Sequence, residues 1–384
     1  MMRTATIMLP AVANEMVQEE IVKQLAHVSR AISNPRFQAD GQHIDLDLDD
    51  RAGEGVAAEA EAVATRIQRS LRRLDRKVRH RTPEGWDGPL HLVGEAEGVW
   101  SSGQGQVQLS GAALAAVVGL DTMLDRYFSE WSPARLQTPT LIPAEVLARC
   151  DYFRSFPQYV SFVSHLHEDF EVIGGFRGRH QERDTLDEAS RADLDLPDVC
   201  LSPAVCYHLY HRHASQTLPE TGTAYDVAGR CFRYESTNMS DLRRLWEFTM
   251  RELVFIGTES WVLTQREMAI ERFVSLLDAL GMPAEIRTAS DPFFGAAGAV
   301  AKTYFQLSSE TKFEISVALG EERLAVGSFN YHTDFFGRAF AMQAGDTGPA
   351  HSVCVGFGLE RLAHAVVAHH GSDPAAWPDL LRAG

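Results

Sequence analysis

Arg233 and Glu235 stand two residues apart, as do Lys312 and Glu314, while Arg244, Phe248 and Glu252 recur at intervals of four. Side chains of an extended strand alternate between its faces, so each of these sets points one way. If 224–235 and 244–256 are adjacent strands closed by the loop 236–243, their hairpin gathers guanidinium groups, an aromatic ring and carboxylates on one surface. Such a surface suits a nucleoside triphosphate, with cations for its phosphates and a flat ring for its base. A later segment, Gly356-Phe357-Gly358-Leu359-Glu360-Arg361, is expected to open a helix. Its glycines permit close backbone approach. A helix N-terminus favours anions, and Arg361 lies one turn inside.

These side chains need a sheet to hold them. Strand-like segments fall near 171–175, 224–235, 244–256, 283–288, 312–319 and 323–331, with helices at 203–214, 259–280, 294–305 and 357–370. Runs of strands with helices set aside from them predict an α+β fold, a mainly antiparallel sheet flanked by helices. A doubly wound sheet would need strict alternation and a Gly-rich first turn. Upstream lie a hairpin at 89–109, a long helix at 110–130 and an extended, proline-bearing strand at 136–143. Further upstream, helical spacing over 14–32 (Met16, Val17, Ile21, Leu25, Val28, Ile32), alternation over 43–48 and a second helix over 55–80 predict a small helix–strand–helix extension, α/β in content. The turn-rich stretch 82–88 reads as a boundary, giving an N-terminal extension 1–82 and a catalytic domain 83–384.

The Arg-x-Glu of Cys231-Phe232-Arg233-Tyr234-Glu235, the returning strand with Arg244 and Phe248, and Gly356-x-Gly358-x-x-Arg361 together resemble motifs 2 and 3 of class II aminoacyl-tRNA synthetases. The long helix and proline-bearing strand resemble motif 1, which in that family builds a homodimer interface. The resemblance implies a reaction in which ATP activates an amino acid as its adenylate. It implies catalytic roles for Arg233 and Arg361 and ATP contacts from Arg233, Glu235, Arg244, Phe248, Glu314 and Arg361. Arg233 would face the α-phosphate, Phe248 the adenine ring, and Glu235 the exocyclic amine. Glu314 would hold Mg²⁺ with ATP, the alternative for Lys312 and Glu314 being an exposed strand pair.

Seryl-tRNA synthetases carry a Thr-x-Glu segment before motif 2. Here Leu201-Ser202-Pro203-Ala204-Val205-Cys206-Tyr207-His208 occupies that place. Methanogen-type seryl-tRNA synthetases and their truncated homologues, the amino acid:[carrier protein] ligases, use a Cys/Glu/Cys zinc site. The resemblance places Cys206, Glu252 and Cys354 there, with a fourth position open for the substrate's neutral α-amino group. The residues alone allow another reading, in which Cys206 and Cys354 are buried apolar thiols. His208 is a possible substitute ligand, expected to face elsewhere. Cys150, Cys200 and Cys231 are taken as structural.

The choice of acceptor follows from what the chain lacks. Residues 1–82 show no sustained heptad pattern of a coiled-coil tRNA-binding arm. A formal net charge of -16 does not suggest a protein that wraps a polyanion. Both favour the ligases, in which the resemblance implies that glycine or alanine passes to the phosphopantetheine thiol of an acyl-carrier-like protein. The segment 291–302 matches the place where that family docks its carrier. An atypical seryl-tRNA synthetase and a non-catalytic synthetase-like binding protein are the alternatives. The dense basic run Arg66, Arg69, Arg72, Arg73, Arg76, Lys77, Arg79 and Arg81 reads either as a solvated helix face or as a dock for an acidic partner. No apolar run spans a membrane, the N-terminus does not read as a signal peptide, and five sparse cysteines point to a reducing cytoplasm.

Overall fold

The computed structural model describes residues 2–83, 86, 88–183, 185–235, 239, 241–294 and 296–382. The chain begins with a small module of β1 (Arg3–Met8), α1 (Glu15–Leu25), β2 (Ile32–Phe37), β3 (His43–Leu48) and α2 (Val56–Leu71). Its three strands pair antiparallel in the order β1-β3-β2. Alternation buries Ile44, Leu46 and Leu48 of β3 beneath the two helices. The sequence reading of this region needs correction. The helix predicted over 14–32 stops at Leu25, and Ile32 starts a strand. The helix predicted to 80 stops at Leu71, and β4 (Val78–Arg81) leaves the module to become an edge strand of the main sheet.

That sheet has eight strands in the order β4-β8-β9-β10-β11-β7-β6-β5. The later strands are β5 (Ala134–Gln137), β6 (Thr223–Phe232), β7 (Glu247–Gly257), β8 (Ala284–Thr288), β9 (Lys312–Leu319), β10 (Glu322–Tyr331) and β11 (His351–Gly358). Every neighbouring pair is antiparallel except β5 with β6. One face is covered by α3 (Gly111–Ser129), α4 (Glu259–Ala279) and α6 (Leu359–His370), which bury Leu253, Phe255, Phe313, Ile315, Val355 and Phe357 from the strands. The alternate residues of the same strands face the other way, where the candidate site lies. The predicted α+β class, with an antiparallel-rich sheet flanked by helices, is the fold observed.

The segment predicted as a strand near 171–175 is a helix, Phe170–Arg179. Asp169 caps it, its carboxylate accepting from the backbone N–H of Glu171 and Val172. The predicted strand 136–143 is two short pieces, β5 and Leu141–Pro143. The loop 236–243 and the stretch 82–88 fall partly outside the described residues.

Arg251 locks α3 to the sheet. Its guanidinium donates to Asp226 on β6 at 2.6 and 3.0 Å, to Asp121 at 2.7 Å and to Asp125 at 2.8 Å on α3. Only 2% of the Arg251 side chain and 4% of the Asp226 side chain are exposed, so water cannot replace either partner. Arg251→Met leaves the buried Asp226 with only Arg135, whose Nε lies 3.5 Å away, and is expected to cost about 3 kcal/mol of stability, the lower end for breaking a buried pair. Urea unfolding followed by circular dichroism would read it, and a loss below about 1 kcal/mol would mean the pair is screened as surface pairs are.

All five cysteines are free and buried. Among the described residues no helix is long and apolar enough to cross a membrane.

Candidate active site

The face of the sheet opposite the helices floors a cavity of about 660 Å³, within the range of small-molecule sites. Period two selects the floor. Phe248, Met250 and Glu252 of β7, Lys312 and Glu314 of β9, Ser328 and Asn330 of β10, and Cys354, Gly356 and Gly358 of β11 all reach it. The walls come from the short helix Cys206–Arg212, the segment 150–159, and α5 (Ala296–Ser308), the helix expected at 294–305.

Of the residues singled out in the sequence, Cys206, Arg233, Glu235, Phe248, Glu252, Glu314, Cys354 and Arg361 line this one cavity. Arg244 does not. The strand begins at Glu247, so Arg244 lies in the turn before it and shares no face with Phe248. Its half-exposed side chain instead pairs with Glu235 at 3.2 Å. Arg233 and Glu235 likewise follow the last residue of β6 rather than sitting within it.

Arg233 is held over the Phe248 ring, its Cζ 5.4 Å from the centroid. Its Nε donates to the Pro203 carbonyl at 3.1 Å, and its backbone N–H donates to the Trp246 carbonyl at 2.9 Å. Arg361 enters from the first turn of α6, donating from Nε to the Arg243 carbonyl at 2.7 Å. Glu360, beside it, is buried and accepts from the backbone N–H and the hydroxyl of Thr249, both at 2.8 Å. The helix that carries Arg361 is thereby fixed to the strand that carries Phe248. Gly356 keeps the floor open: a Cβ there would lie 3.1 Å from Met250 Cε and 3.3 Å from Glu252 Cγ.

At one end of the floor Cys206, Glu252 and Cys354 present their ligand atoms within 4.8 Å of one another, all three residues buried. Glu252 Oε2 has no hydrogen-bond partner. Burial, followed by the charge of Cys354, pushes the Glu252 carboxyl up to about 8. The hydrogen bond between the two thiols holds Cys206 well above and Cys354 well below the ordinary thiol range. His208 turns away, its Nε2 3.0 Å from Ser202 Oγ.

Several groups here escaped the sequence reading. Asn330 Nδ2 donates to Cys354 Sγ at 3.4 Å, and His332 Nε2 lies 3.7 Å from the same sulfur. The cavity-facing Lys312 pairs with Asp291 at 2.5 Å. Burial opposes both charges, but each partner outweighs it, holding Lys312 above and Asp291 below its ordinary range. Lys302 of α5 donates to Asp151 at 2.8 Å and to Ser155 at 2.6 Å. The only sequence signal for these polar pairs was the Lys312/Glu314 spacing, because their partners lie distant along the chain.

The cavity thus sets cations and an aromatic ring along one stretch of floor and a thiol–carboxylate cluster along another. The amino acid–[acyl-carrier-protein] ligase 1 of Bradyrhizobium diazoefficiens is 38% identical over 250 residues, 64% of this chain and 74% of that protein. The chain belongs to this family. These ligases are adenylate-forming enzymes of class II synthetase type. The type-2 serine–tRNA ligase of Methanopyrus kandleri is 26% identical over 258 residues, 63% of this chain and 49% of that one. The M. kandleri seryl-tRNA synthetase solved with A. aeolicus tRNASec superposes with a TM-score of 0.69 at 19% identity, over 99% of this chain and 76% of that chain. No protein-family model matches. The ligase core is therefore built on the class II synthetase sheet, with the segments that resemble motif 2 on and between β6 and β7 and the segment that resembles motif 3 at the junction of β11 and α6.

Proposed function

We propose that this ligase activates a small amino acid, glycine in the first instance and alanine in the second, and transfers it to the phosphopantetheine thiol of a carrier protein. One observation carries the reading. The Cys206/Glu252/Cys354 cluster lines the same cavity as Phe248, Glu314, Arg233 and Arg361.

The cluster fits Zn²⁺. Two thiols and a carboxylate are its usual ligands, and the orphaned Glu252 Oε2 is a buried acceptor in need of a cation. Bound there, Zn²⁺ would supply a Lewis-acidic position for the substrate's neutral α-amine. Asn330 and His332 brace Cys354, as outer partners of metal ligands do. Met250 and the side-chain-free Gly356 border Glu252 and set the room beside it, which supports a small substrate. Glu314, reaching the cavity near Lys312, would hold Mg²⁺ with ATP.

In the first step a carboxylate oxygen of the amino acid attacks the α-phosphorus and pyrophosphate leaves. Arg233 faces the growing negative charge, Arg361 the departing phosphates, and Phe248 the adenine. In the second step the carrier's sulfur attacks the adenylate carbonyl, forming a thioester and releasing AMP. No protein nucleophile is required, and orientation with fixed charge provides the acceleration. The carrier is placed over 291–302 and α5. A homodimer through α3 is part of the proposal, supported by the exposed Leu114 and Val118 on that helix.

A second reading, charging of tRNA, is favoured by the likeness of fold to the M. kandleri synthetase over 99% of the chain. Label transfer separates the two. The protein, ATP and radiolabelled glycine, alanine or serine are offered a phosphopantetheinylated acyl carrier protein or total tRNA. Hydroxylamine-labile label on the carrier, with none on tRNA, is expected. Label on tRNA alone would replace the ligase reading.

A further inference from the structure

We infer that Arg66, Arg69, Arg72 and Arg73, at the C-terminal end of α2, form an electrostatic dock for an acidic carrier protein. The inference rests on the carrier-protein reading above. The basic run seen in the sequence divides in two. Its second half is consumed internally: Arg76 pairs with Glu19 and Lys77 with Glu310, Arg79 pairs with Glu267 at 2.5 Å, and Arg81 with Glu285 at 2.7 Å. The first half is not. Arg66, Arg69, Arg72 and Arg73 are exposed, and among the described residues none of their side chains has a hydrogen-bond or ion-pair partner. The chain has 52 Asp and Glu against 36 Lys and Arg, so a cluster of guanidinium groups paired with no carboxylate stands against its average.

The cluster also works against its own helix. Arg66 and Arg69 are three apart, as are Arg69 and Arg72, and Arg72 keeps helical dihedrals as the C-cap. Like charges at that spacing are neighbours on a helix surface and destabilise it. The helix dipole welcomes a cation in the last turn, but not a repelling series running into it. A partner's negative charge would relieve that repulsion.

Position identifies the partner. α2 packs against α5, where Val300 and Leu307 join Ile67 and Leu71 in the small N-terminal core. Other residues of α5, Ala301, Lys302, Phe305 and Gln306, line the cavity. The helix that carries the arginines is therefore the neighbour of a helix that walls the cavity where the carrier's thiol must react. α5 also exposes Tyr304 and Phe305, at 46% and 51%, offering apolar contact beside the cations. A compact acidic protein can meet this patch alone. A long polyanion would also meet the field of a chain carrying a net charge of -16.

The test uses the full chain and a variant with Arg66, Arg69, Arg72 and Arg73 all replaced by Gln. ATP–pyrophosphate exchange reports folding and adenylation; label transfer to a phosphopantetheinylated acyl carrier protein reports docking. The expected result is unchanged exchange, a KM for the carrier raised about tenfold or more at low salt, and unchanged kcat at saturating carrier. In the unmutated protein the carrier KM should rise steeply with salt, a measurement that needs no variant. Carrier transfer with a KM indifferent to both salt and the substitutions overturns this dock and leaves the ligase reading standing. No transfer by the unmutated protein overturns both. Binding of total tRNA that the substitutions abolish, with carrier KM unmoved, reassigns the patch to RNA.

Discussion

Cys354→Ser is expected to empty the proposed metal site and lower kcat/KM for amino acid-dependent ATP–pyrophosphate exchange by about 10⁴-fold, the scale on which a site built for one polar contact suffers from losing it. Serine nearly matches cysteine in volume, so the fold should survive, but its hydroxyl is not the thiolate that Zn²⁺ selects. The residue is buried on β11, with Glu252 opposite Gly356 on the adjoining β7 and Asn330 beside it on β10, so no solvent ligand can step in cheaply. Zinc measured by elemental analysis should fall from stoichiometric to near zero, while the KM for ATP changes little. Cys231→Ser is the matched control. Cys231 is as buried and packs into the same hydrophobic cluster, but it is not one of the clustered ligands, and this variant should retain both metal and exchange. Full exchange by a zinc-free Cys354→Ser protein would end the metal reading.

What the sequence disclosed and what it hid have one physical origin, the range over which each signal acts. Alternation is local, and it placed Glu252 with Phe248 and Lys312 with Glu314 on the cavity side, as observed. It failed where the strand was shorter than its apolar pattern. β7 starts only at Glu247, so a spacing of four from Arg244 carried no facial meaning. Phe170–Arg179 was misread because Val172 and Ile173 suggest a strand, whereas the Asp169 cap decides the backbone. β1 was invisible as a strand because Ile7 is its only buried residue. β4 looked like the tail of α2 because its stability comes from pairing with β8, some 200 residues away. Pairs such as Lys312–Asp291 and Lys302–Asp151 depend on the closed fold and leave no trace in spacing. The Cys206/Glu252/Cys354 cluster is as nonlocal as these. It was found through resemblance, and the fold brings its ligand atoms together.

Arg233→Ala is expected to lower kcat for adenylation by about 10²–10³-fold, the cost of removing one preorganised charge from a developing anion. The position of Arg233 explains why so much should depend on it. Its Nε is spent on the Pro203 carbonyl and its plane is supported by Phe248, so the side chain reaches the cavity already oriented. An arginine fixed in this way gains more in the transition state than in the ground state, because the charge it faces is still growing when pyrophosphate departs. The loss should therefore fall on kcat more than on the KM for ATP, to which the proposal has Phe248 and Arg361 contribute as well. Arg233→Lys should recover only part of it. An ammonium is a point donor and cannot hold the Pro203 carbonyl and a phosphate oxygen in the fixed fork of a guanidinium. Single-turnover adenylate formation would measure the step directly, with zinc content as the check that the Cys206/Glu252/Cys354 cluster is intact. Equal loss in KM and none in kcat would assign Arg233 to ground-state binding and shift the electrostatic burden to Arg361, on α6, and to Lys312 on β9.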